Sequence, residues 1–185
     1  MRIISGIFKG KSISFLKSKI TRPLKDSVKE NIFNIINHSN LLNIKLINAN
    51  VLDLYSGIGS FGIECLSRGA KKITFVEKDN HAIEILNKNL NDLSIKKKCL
   101  VKRDEIKKFL NSEKLDKFNI IFLDPPFAEN KYVEELEIIK KNKIYYKDHV
   151  VIIHREKKTI DNLSHIFKPF MIKKYGRSKI IFGKF

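Results

Sequence analysis

The 185-residue sequence predicts a single α/β domain, and three observations lead to this prediction. Its composition, 43% hydrophobic and 31% charged, is that of one globular unit with a core of its own. From residue 50 onward, short apolar runs alternate with stretches of helical periodicity, which is typical of parallel strands joined by crossover helices. One run, residues 118–123, is almost entirely apolar, as expected for a central strand that is covered on both faces.

The first forty residues are predicted to form an extension of this domain. Residues 3–8 and 13–16 read as two short strands of a β-hairpin, separated by a turn at Gly10. After a polar stretch, apolar residues recur at helical spacing, and Asp26 or Ser27 can cap this helix. We expect residues 1–40 to be this hairpin and helix, and residues 41–185 to form the main part of the domain.

The other elements follow in order along the chain. Strands are predicted at residues 51–54, 73–77, 99–101, 118–123 and 150–153, and helices at residues 60–67, 80–93, 106–110 and 130–141. Gly69 can take the left-handed conformation that ends the first of these helices. Apolar segments at residues 170–172 and 180–182 predict an antiparallel pair of strands at the end of the chain.

Composition restricts the partners and the compartment. A formal net charge of +17 attracts polyanions such as nucleic acid, although a lysine-rich composition alone would produce the same charge. The two cysteines, Cys65 and Cys99, are too few for a disulfide framework and have no metal-binding spacing. Because the sequence has no signal peptide and no apolar run of membrane-spanning length, we expect a cytoplasmic protein without a membrane segment or a metal.

Basic residues cluster near the start of the chain, interleaved with aromatic residues. Such residues can neutralise phosphates and give an affinity that depends on salt more than on sequence. The alternative is a solvated basic surface. The candidate RNA-binding residues are Arg2, Lys9, Lys11, Arg22, Lys25 and Lys29.

A glycine-rich segment connects the first parallel strand to its helix. Gly57, Gly59 and Gly62 have the G-x-G-x-x-G spacing, which lets the backbone approach a nucleotide-like ligand. Asp53 lies just before these glycines. Because a carboxylate there would repel a pyrophosphate, we expect a cationic ligand that meets Asp53.

Acidic residues also follow the next two strands. Glu77 ends the second strand, where an acid can accept hydrogen bonds from ribose hydroxyls, and Asp104 follows the third, where it could meet an adenine amino group. A solvated carboxylate or a helix cap is the alternative for each. Because the carboxyl ends of parallel strands share one edge of the sheet, these acids indicate a ligand site there.

The segment Asp124-Pro125-Pro126-Phe127 directly follows the buried fourth strand. Prolines cannot donate a backbone hydrogen bond and hold the preceding residue extended, so the segment presents Asp124 and the Pro125 carbonyl as acceptors. Two acceptors can orient a planar amino group and stabilise the charge that develops on its nitrogen, while Phe127 stacks on the base.

With these motifs the sequence resembles the class I S-adenosylmethionine-dependent methyltransferases that modify base amino groups. It is most similar to the RsmD family of bacterial 16S ribosomal RNA guanine-N2 methyltransferases. The resemblance departs from the family pattern at Leu24, Lys29 and His154, where threonine, arginine and an acid are usual. The matching segments are residues 2–6, 22–23, 28–34, 52–59, 64–70, 75–79 and 124–127.

The resemblance implies a Rossmann-like fold with a seven-stranded, mostly parallel sheet and an antiparallel C-terminal strand. It implies methyl transfer from S-adenosylmethionine to guanine N2 in 16S ribosomal RNA, free or in the small subunit, by a monomer. An adenine-N6 or DNA methyltransferase and a nucleotide-cofactor oxidoreductase are the alternatives. The residues expected to bind the cofactor are Asp53, Ser56, Gly57, Gly59, Glu77, Lys78, Asp104 and Asp124, and the catalytic set is Asp124, Pro125, Pro126 and Phe127.

Overall fold

A computed structural model describes residues 1–15 and 24–185, so Arg22 and the end of the predicted second hairpin strand lie outside the described residues. One seven-stranded sheet has the order β3-β2-β1-β4-β5-β7-β6, in which β1 to β5 are parallel and β7 runs antiparallel to both of its neighbours. The predicted sheet is therefore confirmed. Its strands are β1 (Asn50–Leu54), β2 (Lys72–Glu77), β3 (Cys99–Arg103), β4 (Phe118–Leu123), β5 (Tyr145–Glu156), β6 (Lys168–Tyr175) and β7 (Ser178–Lys184).

Helices cover both faces of the sheet. Side chains of successive strand residues point to opposite faces, so the apolar residues of each central strand contribute to two cores. On one face, Val51 and Phe122 belong to the core that contains the apolar residues of the first three helices. On the other, Leu52 and Leu123 pack with those of the last two. The helices are α1 (Asp26–His38), α2 (Ser60–Ser67), α3 (Asn80–Asp92), α4 (Ile106–Leu110) and α5 (Tyr132–Lys141).

Several element boundaries differ from the predictions, most of all at the start of β5. β5 begins at Tyr145 rather than at residue 150, because its first residues pair with the start of β4 beyond a register shift. α1 begins at Asp26 itself, and the residue before it, Lys25, makes no side-chain cap. Gly69 has a φ of 100° after α2, as predicted.

Within residues 1–15, the predicted N-terminal hairpin is reduced to one antiparallel bridge between Arg2 and Ser12. The prediction of a strand at residues 7–8 is wrong, because the backbone N–H groups of this segment bond to α2 instead of to a partner strand. Ile7 donates to the Ser67 carbonyl at 2.8 Å, and Phe8 donates to the Ser67 hydroxyl at 3.0 Å. The approach is close enough that a Cβ at Gly6 would lie 1.9 Å from that carbonyl oxygen.

Parallel register brings the predicted site residues to one edge of the sheet. Leu54 at the end of β1 is aligned with Val76 of β2 and with Leu123 of β4, and Leu123 is aligned with Ile153 of β5. The residues that follow these positions therefore face one another across the carboxyl edge. Within the described residues, no helix has the length and hydropathy of a membrane span.

Candidate active site

The glycine turn between β1 and α2 has a backbone that only certain residues tolerate. Gly57 and Gly59 have φ values of 53° and 82°, and Tyr55 also lies in the left-handed region at 59°. A Cβ at Gly57 would meet nothing within 4 Å, so the turn is open on that side, whereas a Cβ at Gly59 would lie 2.4 Å from Leu86. Gly57 thus leaves room for a ligand, and Gly59 allows α2 to pack against α3.

Glu77 is anchored by backbone N–H groups. One of its carboxylate oxygens accepts from Gly57 at 2.8 Å, and the other accepts from Lys78 and Asp79 at 2.8 and 2.9 Å. The carboxylate therefore joins the glycine turn to the end of β2. The oxygen that accepts from Gly57 alone keeps acceptor capacity for a ligand hydroxyl.

A cleft of about 380 Å³ opens at this edge of the sheet. Seven acidic side chains and three lysines line it, although the whole chain carries a charge of +17. This excess of carboxylates favours a cationic ligand and opposes an anionic one. Of the predicted cofactor-binding residues, the cleft lining includes Glu77, Lys78, Asp104 and Asp124.

The prediction that Asp53 meets the ligand does not fit its position. Its carboxyl group is 1% exposed and accepts a hydrogen bond from Gly62 N–H at 3.0 Å, on the α2 face of the sheet. Strand alternation explains this, since Leu52 and Leu54 occupy the opposite face. Burial raises the pKa of Asp53 well above its usual value. Asp53 therefore braces the start of α2 from beneath the turn.

Ser56 is also buried, and its hydroxyl has no hydrogen-bond partner among the described residues. Asp104 accepts from the N–H of Glu105 at 3.0 Å, just before α4, while it also lines the cleft. This bond does not cap α4, because the N-cap residue of that helix is Glu105 and its side chain makes no cap bond, so the ligand prediction is the one that remains for Asp104. The free hydroxyl of Ser56 lies in the segment where a cofactor was predicted.

Asp124 stands between two strands at the rim of the cleft. Its N–H donates to the Leu54 carbonyl at 3.3 Å, and its Oδ1 lies 2.8 Å from Nδ1 of His154, which follows Ile153 on β5. The Phe127 ring meets the imidazole edge to face, with centroids 5.4 Å apart. The two aromatic groups therefore pack beside the carboxylate.

The loop after Asp124 is held by a fully buried cation, Arg155. Its guanidinium donates to the carbonyls of Pro126 and Phe127 at 3.1 and 3.2 Å, and its Nε donates to Asp161 at 3.0 Å. Asp161 also pairs with Lys179 at 2.6 Å, and its pKa is lowered by hydrogen bonds from these partners although burial opposes the shift.

The Pro125 carbonyl differs from the two carbonyls that follow it. Arg155 engages those of Pro126 and Phe127, but no donor among the described residues reaches that of Pro125. Asp124 and the Pro125 carbonyl thus remain as two neighbouring acceptors, which is the arrangement that the sequence predicted.

Glu135 is a buried acid in the cleft wall that the sequence analysis missed. It comes from α5 and is 5% exposed, and both of its oxygens lie 2.8 Å from the Tyr55 hydroxyl, which donates to the carboxylate. Burial raises its pKa to about 7. The helical spacing of Tyr132, Leu136 and Ile139 places Glu135 on the inward-facing side, which was the available signal.

The candidate RNA-binding residues have different surroundings. Arg2, Lys9, Lys11 and Lys25 are exposed, as phosphate contacts require. Lys29 is not, since it is 1% exposed and its ammonium lies 3.7 Å from the buried Glu64 carboxylate. The prediction that Lys29 binds phosphate is therefore wrong, because helical spacing turns it toward the core.

Comparison with known proteins shows which family this chain matches. A family model described as conserved hypothetical protein 95 matches residues 1–184. The ribosomal RNA small subunit methyltransferase D of Haemophilus influenzae is 33% identical over 85% of this chain and 79% of its own length. That of Buchnera aphidicola subsp. Baizongia pistaciae is 31% identical over 98% and 88%.

Solved structures agree with this assignment. The Escherichia coli protein yhhF is 25% identical, has a TM-score of 0.85 and aligns over 100% of this chain and 97% of that one. The class I methyltransferase fold is thereby confirmed, and the oxidoreductase alternative does not hold. The chain belongs to the RsmD family of S-adenosylmethionine-dependent methyltransferases, as its resemblance to that family implied.

Proposed function

We propose that this enzyme transfers the methyl group of S-adenosylmethionine to the exocyclic N2 of a guanine in 16S ribosomal RNA. The observation that carries the proposal is the position of Asp124, beside the Pro125 carbonyl at the rim of an acidic cleft. The relatives named small subunit methyltransferase D support the ribosomal RNA target. We further propose that the enzyme acts in the cytoplasm as a monomer.

The residues present fit this cofactor. The open side of Gly57 and the unpartnered Ser56 hydroxyl leave room and a polar contact at the turn. Glu77 would hold the ribose hydroxyls, and Asp104 would accept from the adenine amino group. When bound, S-adenosylmethionine supplies a methyl group on a positively charged sulfur. The acidic lining favours that charge and opposes the pyrophosphate of a dinucleotide.

The chain's own residues would act on the amino group that is methylated. Asp124 and the Pro125 carbonyl each accept a hydrogen bond from one of its two N–H groups, which fixes the plane of the amino group and turns the nitrogen lone pair out of conjugation with the base. As the nitrogen becomes positive, the Asp124 carboxylate stabilises it. The base must leave its stack to reach this point, where Phe127 can stack on it.

The exposed basic residues of the N-terminal segment would bind the RNA backbone. Arg2, Lys9, Lys11 and Lys25 are exposed there, and Lys11 lies over the Phe8 ring at 5.3 Å. These contacts carry no base information, so the choice of nucleotide falls to the rim of the cleft. We propose that Arg22 belongs to the same set on sequence grounds alone.

The test is a methylation assay with small ribosomal subunits, naked 16S RNA and DNA, followed by mass spectrometry of the nucleosides. The proposal expects one N2-methylguanine per RNA, formed about a hundredfold more slowly by Asp124→Ala. Detection of N6-methyladenine, or of a methylated base in DNA, would instead support the alternative adenine-N6 or DNA methyltransferase. Absence of one methylguanine from the 16S RNA of cells that lack the protein would identify the nucleotide.

A further inference from the structure

The orientation of the catalytic carboxylate comes from a neighbouring strand. Among the described residues, the side-chain hydrogen bond of Asp124 is the one to His154, in which Nδ1 lies 2.8 Å from Oδ1. The side chain of His154 is 6% exposed and that of Asp124 is 27% exposed, so the contact is shielded on the histidine side. Residues 123 and 153 are aligned in β4 and β5, and this register sets the distance between the two side chains.

The geometry also determines which nitrogen of His154 carries hydrogen. A carboxylate has no hydrogen to donate, so Nδ1 must be the donor to Asp124. Nε2 is buried and has no partner among the described residues. A neutral ring with its hydrogen on Nδ1 satisfies the contact, whereas a hydrogen on Nε2 alone would forfeit it and bury an unpaired donor.

We propose that His154 is a positioning residue for methyl transfer, which engages Oδ1 of Asp124 and so directs Oδ2 toward the amino group. This inference rests on the proposed function. His154 itself does not touch the base. The Phe127 ring packs against the imidazole and limits its rotation, so the three side chains form one unit. A carboxylate fixed in advance stabilises the developing charge without reorganising during the reaction.

Two variants separate positioning from simple packing. His154→Leu keeps an apolar side chain of similar bulk but removes the donor, and His154→Gln retains an amide N–H that can reach Asp124. We expect His154→Leu to slow single-turnover methylation by about ten- to a hundredfold, as for removal of a hydrogen bond to a charged group. Affinity for S-adenosylhomocysteine should stay within about twofold, and His154→Gln should recover most of the rate.

A spectroscopic readout tests the contact without substrate. Nitrogen–hydrogen correlation NMR of the histidine rings should show hydrogen on Nδ1 of His154, and this signature should change in Asp124→Ala. His149 is an internal reference, because its Nδ1 lies 2.9 Å from the Tyr146 carbonyl and its Nε2 accepts from Phe185 N–H. The His149 signals should be the same in both proteins.

Several results would overturn the proposal. One is a wild-type His154 with its hydrogen on Nε2, and another is a spectrum that Asp124→Ala leaves unchanged. A third is a folded His154→Leu protein that methylates ribosomal RNA at the wild-type rate. If the wild-type enzyme itself fails to methylate that RNA, the proposed function fails instead, and the NMR comparison still shows whether His154 donates to Asp124.

Discussion

Two irregular segments of this enzyme, the N-terminal segment (residues 1–15) and the catalytic loop (residues 124–130), are each held by one fully buried ion from a neighbouring element. Glu64 of α2 accepts from the N–H groups of Ile4 and Ser5 at 2.9 and 3.0 Å. Arg155 of β5 donates to the carbonyls at the start of the catalytic loop. An anion thus satisfies backbone donors in one segment, and a cation satisfies backbone acceptors in the other.

The two ions differ in which groups of their segments they leave available to contact a ligand. Glu64 is itself neutralised by Lys29 and Arg68, so its charge does not offset that of the exposed basic side chains of the N-terminal segment. Arg155 engages two carbonyls but leaves Asp124 and the Pro125 carbonyl as acceptors. Segments without regular secondary structure must still pair their buried backbone groups, and a buried ion can do this while fixing the loop for a purpose.

The largest effect is expected from Arg155→Met. Removing Arg155 leaves two carbonyls without their donor and leaves Asp161 with Lys179 as its remaining cation, and breaking a buried ion network in this way costs about 3–5 kcal/mol of unfolding free energy. Urea denaturation measures this decrease, with the exposed Arg177→Met as the control that should change little. Equal stability of the two variants would mean that Arg155 does not hold the catalytic loop.

A smaller effect is expected from Glu64→Gln. The amide oxygen can still accept one of the two N–H bonds, and Lys29 keeps Asp26 as a carboxylate partner at 3.8 Å, so we expect a cost of about 1–3 kcal/mol. Hydrogen exchange should quicken at Ile4 and Ser5 but not in the catalytic loop, and RNA affinity should fall. Glu84→Gln, at an exposed position of α3, is the matched control. Unchanged exchange at Ile4 would remove Glu64 from this role.

Two buried ionisable side chains near these segments should change the stability of the protein with pH in opposite directions. Burial raises the pKa of Glu135 to about 7 from its usual 4.5, so between these values the folded protein binds more protons than the unfolded chain. Its stability should therefore fall as the pH rises through this window, by about 3 kcal/mol over the whole window. Glu135→Gln should remove that fall, whereas the exposed Glu137→Gln should retain it.

Lys29, beneath the N-terminal segment, should contribute with the opposite sign. Burial lowers its pKa from 10.5, so the unfolded chain binds more protons just below that value. Stability should then rise with pH there. Thermal melts of wild type and Lys29→Met across the alkaline range check this, and identical pH slopes would contradict it.

The smallest expected effect is on the salt dependence of RNA binding. Lys9→Ala with Lys11→Ala should weaken RNA binding and lower the slope of log affinity against log salt by about 0.7–0.9 for each RNA phosphate that is no longer neutralised. Lys96→Ala with Lys97→Ala, just before β3, removes the same charge elsewhere and should leave the slope nearer to wild type. Equal slopes for both pairs would show that only total charge matters.

Local patterns in the sequence predicted where several parts of the candidate site lie in the fold. The strand-to-helix turn at Gly57, the acid at the end of β2 and the segment after β4 were all located correctly, because each depends on a few adjacent residues. Asp53 was misplaced although strand alternation with Leu52 and Leu54 could have assigned its face. The N-terminal strand failed because its hydrogen bonds go to a helix sixty residues away.

The supporting ions could not be predicted in the same way. Arg155 and Glu64 look like surface charges in the sequence, and only the tertiary structure shows the backbone groups that each one satisfies. His154 had no assigned role until the register of β4 and β5 brought it to Asp124. Contacts between distant segments carry no local signal, so these residues emerge from the fold alone.

We expect the catalytic loop to determine the rate of methyl transfer, and the glycine turn and Glu77 to determine the affinity for the cofactor. Single-turnover methylation by Glu77→Ala and Asp124→Ala, with S-adenosylmethionine raised to saturation, tests this division most directly. Glu77→Ala should bind S-adenosylhomocysteine about tenfold or more weakly but recover its rate at saturation. Asp124→Ala should stay about a hundredfold slow at every cofactor concentration, with affinity nearly unchanged. A wild-type rate for Asp124→Ala would contradict the account.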